Sequence, residues 1–451
     1  MHNGARRDIR GFSLLSVAAI DPVANEIMSP EATVAGWLAF ETSLARAQAS
    51  LGLIPPDVAA CLERLGVADI DLDRLWEETH NVGYPILPLV RQLDELVEPG
   101  ARGKIHLGAT TQDVMDTVLS IQMKRVLHRL IELTHDAGDA LCDLVEEHAT
   151  TVMAARTHGQ QAVPTTLGTK LSTFVAELGR HLDRLRAAEP RVARVSLHGA
   201  GGTSAGYGAS SATIRRLVAD DLGLHDAVVP WHSSRDSVAE FGFLCAAVAG
   251  TMARLAREIV DLSRTEIGEI NEPGGHHRGA SSTMPQKANP ISSESAIGAA
   301  IATASGVTAL LHAMVVPQER AAGEWQAEWE SVPRLAVLAC ASANEMVGIL
   351  PRLKVNADRM RSNLELDRGL VMSEAYMMAL SREHGRETAH DLVYAAAATA
   401  RADAITLHTA LERDPRTAGI LEPEPMDPRT YLGAGPSLCL EVVAGWRSSR
   451  G

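Results

Sequence analysis

Aromatic side chains make up only 4% of the 451 residues, too few for the aromatic and β-branched surfaces that build sheets. Alanine takes much of the place they leave, and small helix-forming residues pack helices closely, so an all-α protein is expected. Cysteine is scarce too. Cys61, Cys142, Cys245, Cys340 and Cys439 lie far apart, with no Cys-x-x-Cys pair and an odd count. That pattern excludes a disulfide framework and a cysteine zinc site, and it reads as reduced core residues in a cytoplasmic protein.

Basic residues are outnumbered 42 to 56, for a net charge of −14. Nucleic acid is excluded as a partner, because its binding needs a basic footprint that releases counterions. An anionic ligand would need a locally basic pocket, so individual arginines and lysines matter more than their sum. No stretch reaches the ~18 uninterrupted apolar residues of a membrane span, and no membrane is expected as a partner. Near the N-terminus, Arg6 and Arg7 precede an apolar run from Phe12 to Ile20. The run ends at Asp21-Pro22 without a small-x-small cleavage site, so an export signal is not expected.

What is present is 46% hydrophobic residues, enough for a large core and two or three domains. Leu244, Val248, Met252, Leu255, Ile259 and Leu262 recur at steps of four and three, the period of a long amphipathic helix. Its first half, Phe241 to Ala249, is apolar nearly all round, which implies burial on several sides in a bundle or a subunit interface. Met115, Leu119, Met123, Val126 and Leu130 repeat the pattern, as do Leu171, Phe174, Leu178, Leu182 and Leu185. Turn-rich stretches place domain borders near 105 and 350. The expected parts are an N-terminal helical domain (1–105), a central helical bundle (106–350) and a C-terminal helical domain (351–451).

Three polar segments interrupt the bundle pattern. The first, His106 to Asp113, stands just before a helix and contains Gly108, Thr110, Thr111 and Gln112. It reads either as a capping box closed by Thr110 and Asp113 or as an anion site at a helix N-terminus. The second is Arg156-Thr157-His158-Gly159-Gln160-Gln161, followed by Pro164-Thr165-Thr166 at the expected start of a helix. There His158 has few apolar neighbours and a pKa range that lets it move a proton near neutral pH.

The third runs from Gly279 to Pro290, with Glu294 beyond it. Asn289 and Pro290 read as the cap and first position of a helix, and the glycine-rich Pro273 to Ala280 before them as a mobile loop. A serine is a poor base unless its alkoxide is stabilised, so Ser281 would need Lys287 and backbone N–H groups nearby. Arg235 and Arg320 are further cations that would meet a substrate or form structural ion pairs. The adjacent His276 and His277 lack a carboxylate or cysteine cluster, so neither a metal nor another cofactor is assigned.

On these residues the chain resembles the aspartase/fumarase superfamily over essentially its whole length. The third segment matches Gly-Ser-Ser-x-Met-Pro-x-Lys-x-Asn, with Ala280 where glycine is usual. The first matches His-x-Gly-x-Thr-Ser-x-Asp with Thr111 in the serine position, and the second matches Arg-Thr-His-x-Gln. The resemblance implies a three-domain, all-helical homotetramer with a central 20-helix bundle and active sites shared between three chains. It implies Ser281 as the base, with His158 as acid or relay oriented by Glu294. Lys287, Asn289, Thr110 and Thr111 would hold the carboxylates of a small dicarboxylate, with His106, Gln160, Ser282, Met284, Arg235 and Arg320 completing the site.

Within the superfamily, Glu319 to Glu330 and Trp231 to Asp236 look most like the 3-carboxy-cis,cis-muconate cycloisomerase branch, although Ser234 replaces an expected glutamine. Cycloisomerases of that branch typically lack both the histidine and the glutamate. Their presence here leads to the expectation of a carbon–nitrogen lyase that releases fumarate by anti β-elimination. Trp325 and Trp329 stand where adenylosuccinate lyases carry a phosphate-binding stretch, so a small substrate such as nitrosuccinate is expected. Cycloisomerase and adenylosuccinate lyase are the alternatives.

Overall fold

The computed structural model describes residues 20–320 and 323–448. The apolar run expected not to be an export signal, apart from Ile20, and Ala321-Ala322 of the cycloisomerase-like stretch lie outside the described residues. The helices of the N-terminal part are α1 Pro22–Ile27, α2 Pro30–Ser50, α3 Pro56–Leu62, α4 Leu72–Val82 and α5 Ile86–Leu96. Then come α6 Thr111–Glu147, the hairpin β1 Val152–Thr157 and β2 Gln160–Thr166, α7 Leu167–Val192, α8 Ser211–Leu222, α9 Asp236–Leu262 and β3 Ile270–Asn271. The remainder is α10 Ile291–Ala313, α11 Glu324–Ile349, β4 Lys354–Val355, α12 Ala357–Leu364, α13 Ser373–His384, α14 Arg386–Ala402, α15 Leu407–Glu412 and α16 Gly435–Ser448.

The chain forms two compact units. Among the described residues, the first comprises 20–134, 181–253 and 295–345, and the second comprises 135–180, 254–294 and 346–448. In the first unit, α2 begins sharply because Ser29 accepts the Ala32 N–H and Pro30 occupies the first turn. This helix is covered on two sides. Val34 and Leu38 join a core with Val58, Leu62, Leu89 and Leu93, while Phe40 and Leu44 join another with Val114, Val118, Ile214 and Val218. Helix α2 meets α6 closely at Gly36, where a Cβ would lie 2.5 Å from Val118 Cγ1.

In the second unit, β1 and β2 pair antiparallel with Val152 opposite Thr166 and Thr157 opposite Gln160. Their connection is only His158-Gly159, both with positive φ (51° and 77°), as a primed two-residue hairpin turn requires. Helix α12 and the core of α13, α14 and α15 complete this unit, with Ala154 of β1 buried in that core.

The structure is mostly helical, but residues 106–350 are not continuous helical pattern, because the 152–166 hairpin interrupts them. Pro164-Thr165-Thr166 is the end of a strand, not the start of a helix. Thr166 accepts the Thr169 N–H through its hydroxyl, so α7 starts one residue later. Counting only uninterrupted apolar runs also understated three helices. Asp236–Leu262, Ile291–Ala313 and Glu324–Arg352 are long and apolar enough by length and composition to cross a membrane. The fold buries 61% of the first and third windows but only 33% of the second, leaving Ile301 and Leu311 exposed.

Candidate active site

In the first unit, the loop before α6 turns through two left-handed residues, His106 (φ 62°) and Gly108 (φ 82°). Only glycine fits at 108, since a Cβ there would sit 2.5 Å from the Tyr207 ring. Asp113, fully buried in the first turn of α6, gathers the surroundings. It accepts from the N–H groups of Thr110 (3.1 Å), His198 (3.0 Å) and Gly199 (2.8 Å), from the Ser196 hydroxyl (3.2 Å), and pairs with His232 Nε2 at 2.8 Å. Burial pushes its carboxyl upward. The bond to and charge of His232, with the two N–H donors of His198 and Gly199, outweigh this and hold it below its ordinary value.

Asp113 thus reaches back to Thr110 as a capping box predicts, while binding segments that no local reading could reach. Thr110 and Thr111 are half-buried beside it. Gln112 donates to the His232 carbonyl (2.9 Å) and accepts from Arg320 Nε (2.6 Å). Arg320 Nη2 is buried with no partner among the described residues, a donor available to an anion. His106, Thr110, Thr111 and Arg320 are therefore anchored to one loop and helix start.

Arg235 is different. Its side chain is 1% exposed, with bonds to both oxygens of Asp116 (2.8 and 3.0 Å) and both of Glu328 (2.9 and 2.5 Å), and its guanidinium lies 5.0 Å from the centre of the Trp231 ring. A cation matched by two buried carboxylates has no donor to spare, so the substrate-binding expectation for Arg235 is corrected to a structural ion network. Trp325 and Trp329 pack with Tyr84, their own ring centres 4.9 Å apart.

In the second unit, Arg156 does not point to solvent but binds buried Glu269 through two bonds, and Glu269 also accepts from Asn363 Nδ2 at 2.7 Å. Gln161 reaches the Asn363 carbonyl at 2.7 Å. Arg156 and Gln161 pair across the hairpin beside its turn, so these ties hold the strands just below the exposed tip His158-Gly159-Gln160.

The 279–289 loop is pinched at its neck. Asn289 N–H donates to the Gly279 carbonyl (2.9 Å), and Ala280 bridges Ala288. Gly279 has φ 69°, and a Cβ there would be 2.4 Å from the Asn289 oxygen. Within the loop, the Ser281 hydroxyl oxygen accepts the backbone N–H groups of Thr283 (3.2 Å) and Met284 (3.1 Å). Ser282, Met284 and Lys287 are exposed around it, with Asn289 half-buried at the neck. Two N–H dipoles converging on a hydroxyl oxygen favour its anionic form, the condition for a serine to accept a proton.

Asn289 does not cap α10. The helix starts at Ile291, and the carboxylate of Glu272 accepts the N–H groups of Ser292 (3.3 Å) and Ser293 (2.7 Å) instead. Glu294 is exposed in the first turn, and no bond joins it to His158 among the described residues. Sequence reasoning missed Glu269, Glu272, His232 and Gln112 as organisers of these segments. Their partners lie 20 to 208 residues away along the chain, and although Gln112 and His232 stood inside stretches already singled out, nothing local showed what they bind.

A family model described as lyase matches residues 77–304, and one described as adenylosuccinate lyase C-terminus matches residues 369–442. The chain is 39% identical to a 3-carboxy-cis,cis-muconate cycloisomerase of Pseudomonas aeruginosa, over 90% of each chain. It is 32% identical to an N-acetyl-S-(2-succino)cysteine lyase of Dickeya dadantii, over 94% of each. The solved 3-carboxy-cis,cis-muconate lactonizing enzyme of Pseudomonas putida superposes with a TM-score of 0.92 at 33% identity, covering 98% of this chain and 100% of that one. With the three motifs in place, these matches make the chain an enzyme of the aspartase/fumarase superfamily, in its 3-carboxy-cis,cis-muconate cycloisomerase-like branch.

Proposed function

We propose that the chain is a cycloisomerase that lactonises 3-carboxy-cis,cis-muconate or a closely similar tricarboxylate. A carboxylate oxygen of the substrate bonds to one carbon of a double bond, while the neighbouring carbon receives a proton from the Ser281 hydroxyl. The serine then regains its proton from solvent. Read backwards, the same step is a β-elimination with Ser281 as base, so one residue serves both directions.

The observation that carries this reading is the pair of N–H groups on Ser281 Oγ, which stabilise the alkoxide the step requires. Lys287, Asn289 and Ser282 would hold one carboxylate, and Thr110, Thr111, His106 and Arg320 others, with Gln160 and Met284 bordering the substrate. No cofactor enters. Relatives named as cycloisomerase or lactonizing enzyme, among them those of Pseudomonas aeruginosa and Pseudomonas putida, support this substrate class more directly than a nitrogen compound.

A second reading is the fumarate-releasing lyase expected from the sequence, acting on a succinyl compound such as nitrosuccinate. Retained His158 and Glu294 favour it, as does the relative named for a succinocysteine substrate. Among the described residues no hydrogen bond or ion pair joins the two within one chain, so this reading needs them to meet across subunits. Either reading goes with a cytoplasmic homotetramer of three-domain chains (borders near 105 and 350), in which other subunits would cover the apolar face of α10.

A spectrophotometric panel separates the two. Consumption of 3-carboxymuconate without fumarate from nitrosuccinate, aspartate, argininosuccinate or adenylosuccinate is the expected result. Fumarate from a succinyl compound with carboxymuconate left intact would overturn the cycloisomerase reading.

A further inference from the structure

Helix α2 grips the loop before α6 at two points one heptad apart. Gln48, buried, donates to the Leu107 carbonyl at 2.8 Å. Glu41, with a side chain 0% exposed, places Oε1 2.6 Å from His106 Nδ1. Positions seven apart share a helix face, so one face of α2 sets both the path of the loop and the orientation of the imidazole. Glu41 Oε2 is buried with no partner among the described residues. A carboxylate out of water with one oxygen unbonded needs the His106 Nδ1–H as its donor, and a second proton on Nε2 would match its charge.

The backbone bears the same mark. His106 stands at φ 62°, a conformation that costs a non-glycine residue energy and persists only where surrounding contacts impose it. Nδ1 is taken by Glu41, and Nε2 has no partner among the described residues.

We propose that Glu41 is a positioning residue for the reaction, holding His106 as a cation whose Nε2–H receives a substrate carboxylate beside Thr110 and Thr111. This rests on reading the loop and start of α6 as a carboxylate site. The charged groups facing the imidazole are Glu41 from α2 and Asp113 from α6. Burial pushes His106 down, but the charge of Glu41, the bond to it and the field of Asp113 outweigh this and raise it above its ordinary value. Tyr207, packed on Gly108, is pushed up by burial and stays neutral.

Calorimetric titration of succinate and tricarballylate, two unreactive carboxylates, into the full-length protein between pH 6 and 9 tests this. Wild-type affinity should fall by ~10-fold per pH unit above the His106 pKa, the behaviour of binding to the protonated form alone. Glu41→Gln should bind ~10-fold more weakly at pH 7.5, with the break moved about one unit lower, while Glu41→Asp restores most of the wild-type profile. If Glu41→Gln does not fold, His106→Asn should show weak, pH-independent binding.

Wild-type binding by Glu41→Gln at every pH overturns the proposal. So does an equal loss at all pH values with a lower melting temperature, which marks a merely structural role. A wild type that binds neither acid also overturns it. If the wild type turns over no substrate of the panel yet shows the pH-linked binding, the cycloisomerase reading fails and this inference stands.

Discussion

Arg156 meets Glu269 in a two-pronged ion pair, Nη1 to Oε2 at 3.0 Å and Nη2 to Oε1 at 2.5 Å. The arginine of the Arg-Thr-His motif is therefore an anchor for the strand, two residues from the histidine that the motif is read for. Arg156→Ala would leave Glu269 buried with Asn363 as its remaining side-chain donor. A loss of about 3–5 kcal/mol is expected in urea unfolding, the usual cost of stranding one member of a buried pair. Arg156→Lys should recover only part, because an ammonium cannot reproduce the planar fork.

Ser281→Ala should lower turnover by ~10²–10⁴-fold, the usual range for losing a general acid or base, with little change in KM. The alanine keeps the loop path, since the neck bonds at Gly279 and Asn289 do not involve the hydroxyl. Steady-state kinetics on the substrate found by the panel reads the split. Wild-type kcat in this variant would remove Ser281 from the proposed step.

Gly279→Ala should act on the same step without touching its chemistry. The new methyl group would overlap the Asn289 oxygen, and the backbone would need a positive φ that alanine resists. We expect a local cost of about 1–3 kcal/mol, seen as faster proteolysis within 279–289 and a lower kcat. The main unfolding transition should stay within about 1 kcal/mol of wild type, because the loop is exposed.

Asp113 predicts an acid-sensitive fold. Its folded-state pKa lies below the unfolded value, so its stabilisation is fully present above the ordinary carboxylate range and is lost as pH falls through the folded value. Asp113→Asn should be less stable than wild type at pH 7 by about 3 kcal/mol, for loss of a buried charged hub. That difference should shrink below about pH 4 as the wild-type carboxylate takes up its proton. Urea unfolding of both proteins across pH 3–7 measures it.

The long helices were legible because burial of one face imposes a 3.6-residue period on the residues themselves, as in the Leu244 to Leu262 series of α9. The hairpin was not. Its strands are short, Pro164 sits within one of them, and its turn uses His158 where asparagine is the usual companion of glycine. The roles of Arg235 and Glu41 were equally hidden, because their partners Asp116, Glu328 and His106 stand 119, 93 and 65 residues away.

By itself the sequence determined the family and the Ser281 loop. The donors to Ser281 Oγ come from residues two and three positions on, so local order suffices to specify them. Tertiary structure decided which charged residues remain open to a substrate. Arg235, Arg156 and Arg320 look alike in a linear chain, yet two are bound by buried carboxylates while Arg320, tied by one nitrogen to Gln112, has a buried donor with no partner among the described residues. The difference is one of burial and partner geometry, and those exist only once distant segments pack together.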